Sequence, residues 1–283
     1  GTFQMLHLDR TPAHAALSES VEFCRAAGPP HATGLVNAVL RKVAAAQKPG
    51  TRVFESVTAF AERLGHPQWL VERWVAAYGR EAALKICEAG QKEPAGAAWF
   101  AENGGDLPQM DNGSRLVAEL AAAAMPEVKG VGRVWDCCAA PGGKTLIRAA
   151  RLNGAEILAT DVSAKRLAKM QTRLRGFEYA EGVRCAVMDA AGGAAGPEGE
   201  FDLILCDVPC SGTGTLARNP EIRHRLQPGE LARQTERQRT IVRCALRRLV
   251  PGGSLVYSTC SLEAEENERV VEAVLAGEGL DWK

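Results

Sequence analysis

The sequence lacks a surplus of either charge. Its 34 basic residues balance 34 acidic ones over 283 positions, so attraction to a polyanion has to come from local clustering rather than from net charge. It also lacks paired metal-ligand spacing: none of the nine cysteines stands in a C-x-x-C pair and the five histidines are scattered, so no metal site is expected. The longest apolar run, around Val117 to Met125, is far shorter than the ~20 residues that cross a bilayer. No signal-peptide pattern opens the sequence, and free thiols without a disulfide framework suit a reducing compartment. A cytoplasmic protein with no membrane segment is expected, large enough for more than one domain, and nothing in its pattern calls for an obligate protein partner.

The first third reads as helices. Apolar residues recur at three- and four-residue spacing in Ala13 to Ala26, Leu35 to Val43, Val53 to Leu64 and Trp69 to Tyr78, separated by Pro and Gly clusters. Their polar faces carry Arg41, Lys42, Arg52, Arg63, Arg73 and Arg80, a pattern open to both a solvated surface and an RNA-facing one. From Ala89 to Leu107 the composition turns to Gly, Pro and Ala, as a linker does. Domain boundaries are therefore expected at 1–48 (helical), 49–109 (helical linker or subdomain) and 110–283.

Beyond the linker, short apolar stretches alternate with helical ones. Gly132 to Asp136, Glu156 to Asp161, Arg184 to Asp189 and Phe201 to Asp207 each read as a buried strand finishing on aspartate, with helices such as Ser163 to Arg175 between them. This is the pattern of an α/β, Rossmann-like domain: a mostly parallel sheet with helices on both faces. Ligands of such sheets bind past the carboxyl ends of the strands, so the aspartates would line one rim.

The first strand runs into Cys137-Cys138-Ala139-Ala140-Pro141-Gly142-Gly143-Lys144-Thr145, a Gly-rich turn that opens a helix and exposes backbone amides. Its end matches a phosphate-binding loop, which would make the protein a P-loop NTPase, but the opening glycine of that motif is Cys138 here and no G-x-G-x-x-G occurs. A turn for a nucleoside without a phosphate chain, with Asp161 for ribose hydroxyls and Asp189 for the base, fits S-adenosylmethionine.

Two thiols stand at strand ends. FDLILCDVPCSGTG, from Phe201 to Gly214, presents Asp207, Cys210 and Ser211, while SLVYSTC, launched by the turn Pro251-Gly252-Gly253, ends on Cys260. Cys206 lies within its strand and Cys24, Cys87 and Cys244 on helices, where packing explains them; Cys137 and Cys185 need no role.

DCCAAPGGKT (Asp136 to Thr145), DVPCSGTGTLARNPEIRHRL (Asp207 to Leu226) and LVYSTCSLEAEENERVV (Leu255 to Val271) resemble, in order, the motifs of the RsmB/Nol1/Nop2/Sun family of RNA cytosine-5 methyltransferases. The leading helices, HLDRTPAHAALSESVEFCRA and TGLVNAVLRKVA, are similar to the NusB-like domain of its bacterial ribosomal-RNA members. The resemblance implies methylation of carbon 5 of a cytosine in RNA, of 16S rRNA for the RsmB type. It implies that Cys138, Ala139, Ala140, Pro141, Gly142, Gly143 and Lys144 cradle the cofactor. Asp161 would hold ribose, Asp189 the adenine edge, and Asp207 would sit between cofactor and cytosine. Cys260 would be the nucleophile, adding to carbon 6, and Cys210 would assist product release. Members usually carry a longer segment before the catalytic domain than the stretch between Gly90 and Met110 here, and a further strand pair after Trp282, so missing segments are expected.

Local charge also points to nucleic acid. Nine arginines face three glutamates between Ala217 and Arg248. A helix expected from Glu230 to Val250 spaces Arg233 from Arg237, and Arg243 from Arg247, by four residues. Alone, such a face suits solvent; beside the thiol loop it suits phosphates, with Arg218, Arg223, Arg233 and Arg237 as contacts. The target base must leave its stack, which favours a single-stranded or loop cytosine. A non-catalytic NusB-like RNA-binding protein is the other reading, and it leaves both strand-end thiols unexplained.

Overall fold

The structure, a computed structural model, describes residues 1–7, 12–28, 31–45, 56–92, 107–192 and 196–278. The linker expected between Ala89 and Leu107 falls largely outside these residues, as do Arg52 and the start of the helix expected from Val53. The chain divides into two compact units, one of residues 1–94 with 215–225, the other of residues 95–214 with 226–283.

The first unit is helical. Helices α1 (Thr2–His7), α2 (Ala13–Ala27) and α3 (Ala32–Ala45) meet around Met5, Ala16 and Leu40. Helix α4 (Val57–Arg63) begins where the Ser56 side chain accepts the Ala59 N–H at 3.1 Å, a side-chain N-cap. Helix α5 (Gln68–Gln91) runs past Tyr78, where the apolar periodicity had suggested an end. Gly79, at φ 80° and ψ 164°, breaks the helical path, and a new turn resumes beyond it. Leu70, Val71, Trp74, Ala83 and Cys87 form its buried face. The short helix α6 (Ile222–Arg225) belongs to this unit, although it lies in the sequence between two strands of the other.

The second unit opens with helix α7 (Asn112–Ala123), capped by Asp111, whose carboxylate accepts the Ser114 N–H at 2.9 Å. Strands β1 (Arg133–Asp136), β2 (Glu156–Asp161), β3 (Val183–Val187), β4 (Phe201–Asp207) and β5 (Leu249–Ser258) form one sheet in the order β3-β2-β1-β4-β5, and every neighbouring pair is parallel. The order reverses between β1 and β4, which opens a crevice at the strands' carboxyl ends. Alternation along each strand serves the two faces. Val134, Ile157 and Leu203 pack under helices α8 (Gly143–Arg151) and α9 (Ala164–Leu174), and Trp135, Ile204 and Cys206 pack under α10 (Pro228–Leu246). Helix α11 (Glu268–Glu278) joins α10 through Val242, Leu246, Val270 and Val274.

Boundaries in this unit differ from the sequence expectation. Strand β3 stops at Val187, so Asp189 stands in the loop beyond it rather than at its last position. Helix α10 ends at Leu246, and Leu249 and Val250 belong to β5. The segment Pro251-Gly252-Gly253 interrupts β5 rather than preceding it: β4 pairs with Leu249, skips register between Phe201 and Leu203, and resumes at Ser254. A bulge with Gly252 at φ 80° absorbs the extra residues.

Candidate active site

The loop between β1 and α8 is fixed by two aspartates. Asp136, 1% exposed, accepts from Thr145 Oγ1 at 2.5 Å and from the buried Arg148 guanidinium, which pins the first turns of α8 to the end of β1. Asp161 accepts the Ala140 N–H at 3.3 Å and the Ser163 N–H at 2.8 Å, with Arg166 3.5 Å away and donating to the Ala140 carbonyl. Gly142, at the N-terminus of α8, holds φ 92°, and a Cβ there would sit 2.7 Å from Met170 Cγ, so only glycine fits the turn.

Asp207, at the end of β4, accepts from Lys144 Nζ at 2.6 Å and from Ser258 Oγ at 2.8 Å. These residues meet at one cleft. Cys138, Ala140, Asp161, Asp189, Asp207, Cys210 and Cys260 all line it. Ala139, Pro141, Gly143 and Lys144 line an adjoining recess that shares Cys138, Ala140 and Asp207 with the first. Along the cleft Val162, Met188 and Ile241 supply apolar wall. Among the described residues no group of His, Cys, Asp and Glu is placed to hold a metal ion, and no helix is long and apolar enough to cross a membrane.

Of the nine cysteines, all free, Cys260 alone is exposed. Its Sγ lies 3.3 Å from Sγ of Cys210. The hydrogen bond from Cys210 lowers the Cys260 thiol below its usual range, and the Lys144 ammonium adds to that, against burial and the Asp207 carboxylate. The same hydrogen bond, with burial and the nearby charges of Cys260 and Glu266, pushes Cys210 far up. The pair is therefore unequal: Cys260 is the thiol that ionises more readily and Cys210 the one that keeps its proton. Burial raises Cys137 and Cys138, and Cys137 faces Cys206 at 3.7 Å in the core, so neither is set up to react.

The electrostatics carry a measurable consequence. Alkylation of Cys260 by iodoacetamide, followed against pH, is expected to inflect below the ordinary thiol value of about 8.5. In Cys210→Ala the donor is lost and the inflection should move up. An inflection at the ordinary value in the wild-type chain, or one unmoved by the substitution, would contradict the pairing.

One of the basic residues expected to face RNA is placed otherwise. Arg223, 7% exposed, is buried in the helical unit and donates to the Gly90 carbonyl, so its guanidinium is not presented to a phosphate. Arg237 lines the cleft and lies 3.8 Å from Asp189. Its position one helical turn before Ile241, on the same face of α10, was the signal available in the sequence. Arg218 and Arg233 are exposed, Arg233 beside Glu230. The sequence reading also missed Ser258, which completes the Asp207 contacts, and Arg166, which closes the loop over Asp161.

Comparison with known proteins agrees with this geometry. A family model described as 16S rRNA methyltransferase RsmB/F matches residues 124–279, and one described as the NusB family matches residues 1–45. The chain is 32% identical over 316 aligned residues to ribosomal RNA small subunit methyltransferase B of Xanthomonas campestris, covering 96% of this chain and 69% of that one. It is 30% identical to the probable ribosomal RNA small subunit methyltransferase B of Bacillus subtilis, covering 96% and 70%. Among solved structures, a methyltransferase homolog protein from Pyrococcus horikoshii superposes with a TM-score of 0.59 at 26% identity, over 79% of this chain and 83% of that one. NSun6 from Pyrococcus horikoshii, solved with SFG, superposes with a TM-score of 0.54 at 31% identity, over 66% and 46%. A parallel sheet with its cleft at the β1–β4 reversal, the thiol pair beside it and these matches along nearly the whole chain lead to one assignment: the chain belongs to the RsmB/F family of 16S rRNA methyltransferases, with a NusB-family region at its front.

Proposed function

We propose that this protein transfers a methyl group from S-adenosylmethionine to carbon 5 of a cytosine in 16S rRNA, through a covalent bond between Cys260 and carbon 6. The observation that carries the reading is the thiol pair, Cys210 and Cys260 at 3.3 Å, opening into the same cleft as Asp161, Asp189 and Asp207. Carbon 5 of cytosine is a weak nucleophile, and a soft thiolate adding at carbon 6 is what activates it.

The cleft's donor set fits the cofactor. Three carboxylates face three cations (Lys144, Arg166 and Arg237), each cation within 4 Å of a carboxylate, which leaves no surplus positive charge for a phosphate chain. Asp161 would accept from the ribose hydroxyls and Asp189 from the adenine edge, a reading supported by their lining one cleft with Val162, Met188 and Ile241. Bound there, S-adenosylmethionine supplies the methyl group from its sulfonium.

The protein's own residues do the rest. Cys260 thiolate forms the S–C6 bond as the ring's C5=C6 double bond opens, and Asp207, oriented by the hydrogen bonds it accepts from Lys144 and Ser258, would hold the ring. That bond consumes the negative charge on Cys260, and with it the hydrogen bond that kept Cys210 protonated. The electron pair displaced onto carbon 5 would form the new bond to the methyl group; Cys210, its own proton passed to solvent, would then take the proton from carbon 5, and that C–H electron pair reforms C5=C6 as the S–C6 bond breaks and Cys260 leaves as thiolate. The target cytosine is single-stranded or in a loop, since it must reach a cleft in the protein. Arg218 and Arg233 remain as phosphate contacts.

The test is methylation of 16S rRNA by the full chain with S-adenosylmethionine, mapped by bisulfite sequencing. Protection of a defined cytosine is expected; methyl incorporation without bisulfite protection would overturn the position of transfer. The cofactor site has its own test. Asp161→Ala should weaken S-adenosylmethionine binding about ten-fold or more, since a charge-assisted hydrogen bond contributes roughly 1.5–3 kcal/mol. Calorimetry on the folded variant showing wild-type affinity would remove Asp161 from the ribose.

A further inference from the structure

We propose that Glu266 is the positioning residue of the thiol pair, one buried carboxylate that fixes the Cys210 loop against the Cys260 loop. The proposal rests on the covalent reading above. Glu266 is 0% exposed and does not line the cleft, so it does not touch the reacting atoms.

Its partners show what it holds. Oε1 accepts the Ser211 N–H at 2.9 Å and Gln238 Nε2 at 3.1 Å; Oε2 accepts from Ser261 Oγ at 2.5 Å and from Ser211 Oγ. Ser211 directly follows Cys210, and Ser261 directly follows Cys260. The two hydroxyls are themselves 3.0 Å apart. Gln238 donates also to the carbonyl of Pro209, at 2.8 Å, so Pro209 before Cys210 is tied to α10 directly and Ser211 after it through Glu266. The Tyr257 hydroxyl fixes the backbone of Glu266 by donating to its carbonyl at 2.5 Å.

A buried carboxylate is costly unless donors surround it, and this one has four. Packing alone would be served as well by an apolar residue of similar volume. What an apolar residue cannot do is clasp the residue after each thiol at the same point. The clasp sets the sulfur separation, and with it the hydrogen bond that separates thiolate from thiol.

The loops have other ties. The Gly214 N–H donates to the Cys260 carbonyl at 2.9 Å and the Leu262 N–H to Thr213 Oγ1 at 2.8 Å. Loss of the clasp should therefore loosen the sulfur geometry without separating the loops. A misplacement of about 1 Å at a reacting centre can cost roughly 100-fold in rate.

The experiment compares wild type, Glu266→Leu, Glu266→Gln and the double variant Ser211→Ala/Ser261→Ala, all as the full chain. Single-turnover methyl transfer to RNA, S-adenosylmethionine affinity and the pH inflection of Cys260 alkylation are read for each. Glu266→Leu is expected to lose roughly 100-fold in rate with cofactor affinity unchanged, and Glu266→Gln, which keeps one oxygen acceptor, to recover part of it. The double serine variant keeps the carboxylate and the Ser211 N–H bond, so it decides the matter even if Glu266→Leu fails to fold. Its rate should fall and its Cys260 inflection should rise toward the ordinary thiol value. A wild-type rate, or a slower rate with an unmoved inflection, in the double variant overturns the proposal. Failure of the covalent reading would look different: Cys210→Ala would then form no RNA adduct although Glu266 is intact.

Discussion

Replacing Cys260 by alanine is expected to abolish methyl transfer, by on the order of 10⁴-fold or more, the scale on which removal of a covalent nucleophile is felt. No other thiol can substitute. Cys210 loses its Cys260 partner in this variant but is still raised by burial and by Glu266, Cys137 and Cys206 are in the core, and burial raises Cys138. Cys210→Ala should behave in the opposite sense. Cys260 can still add to carbon 6, at a rate reduced by its weaker thiolate, but the base that clears the carbon 5 proton is gone, so the adduct accumulates. A denaturing gel with labelled RNA and S-adenosylmethionine should show a slow-migrating band for Cys210→Ala and none for Cys260→Ala or for the double variant. An adduct in Cys260→Ala that disappears in Cys210→Ala would mean the roles are exchanged. The pH dependence separates the roles further: methyl transfer should fall as pH drops through the lowered Cys260 value, because the protonated thiol cannot add.

Much of this site is legible in the sequence because strand ends are legible. Apolar runs stopping on Asp136, Asp161 and Asp207 mark the last residues of β1, β2 and β4, and a parallel sheet gathers such positions on one rim. The two thiols follow from the same logic, since β4 and β5 are neighbours and each carries its cysteine just past its end. Sequence pattern is weaker where side chains choose between faces. Arg223 and Arg237 sit in the same basic stretch as Arg233, yet one is buried under the Gly90 carbonyl and one turns into the cleft toward Asp189. A count of charges cannot tell a guanidinium offered to solvent from one consumed by a backbone carbonyl. Glu266 was hidden for a related reason. Within LEAEENERVV it reads as one more surface glutamate, and only the approach of two loops 55 and 5 residues away makes it a buried acceptor. The turn Pro251-Gly252-Gly253 misled in another way, because glycine and proline mark a bulge as readily as a turn.

Arg148→Ala should be the most destabilising single change in the sheet unit. Arg148 is 0% exposed and Asp136 1%, the two are bonded through Asp136 Oδ2, and Asp136 Oδ1 has no hydrogen-bond partner among the described residues. Removing the guanidinium leaves Asp136 buried with only the Thr145 hydroxyl at 2.5 Å against its charge. Breaking one partner of a buried pair costs roughly 3–5 kcal/mol, a large part of the ~5–15 kcal/mol by which folded domains are stable. For a unit of this size that corresponds to a fall in melting temperature of roughly 6–20 °C. The double variant Asp136→Leu/Arg148→Met removes both charges and should be less destabilised than Arg148→Ala, because the penalty lies in the unpaired carboxylate rather than in the missing bond. Calorimetric melting of the full-length variants decides it; a double variant that melts below Arg148→Ala would show that the pair is stabilising as a pair. Function should follow geometry here as well. Thr145 stands in the first turn of α8 and Asp136 at the end of β1, so the pair fixes the two ends of the Cys137 to Gly142 loop. At a temperature where Arg148→Ala remains folded, its affinity for S-adenosylmethionine should fall while the Cys260 inflection stays below the ordinary thiol value, since the Cys210 bond that chiefly lowers it joins the ends of β4 and β5 and Lys144 on α8 adds less.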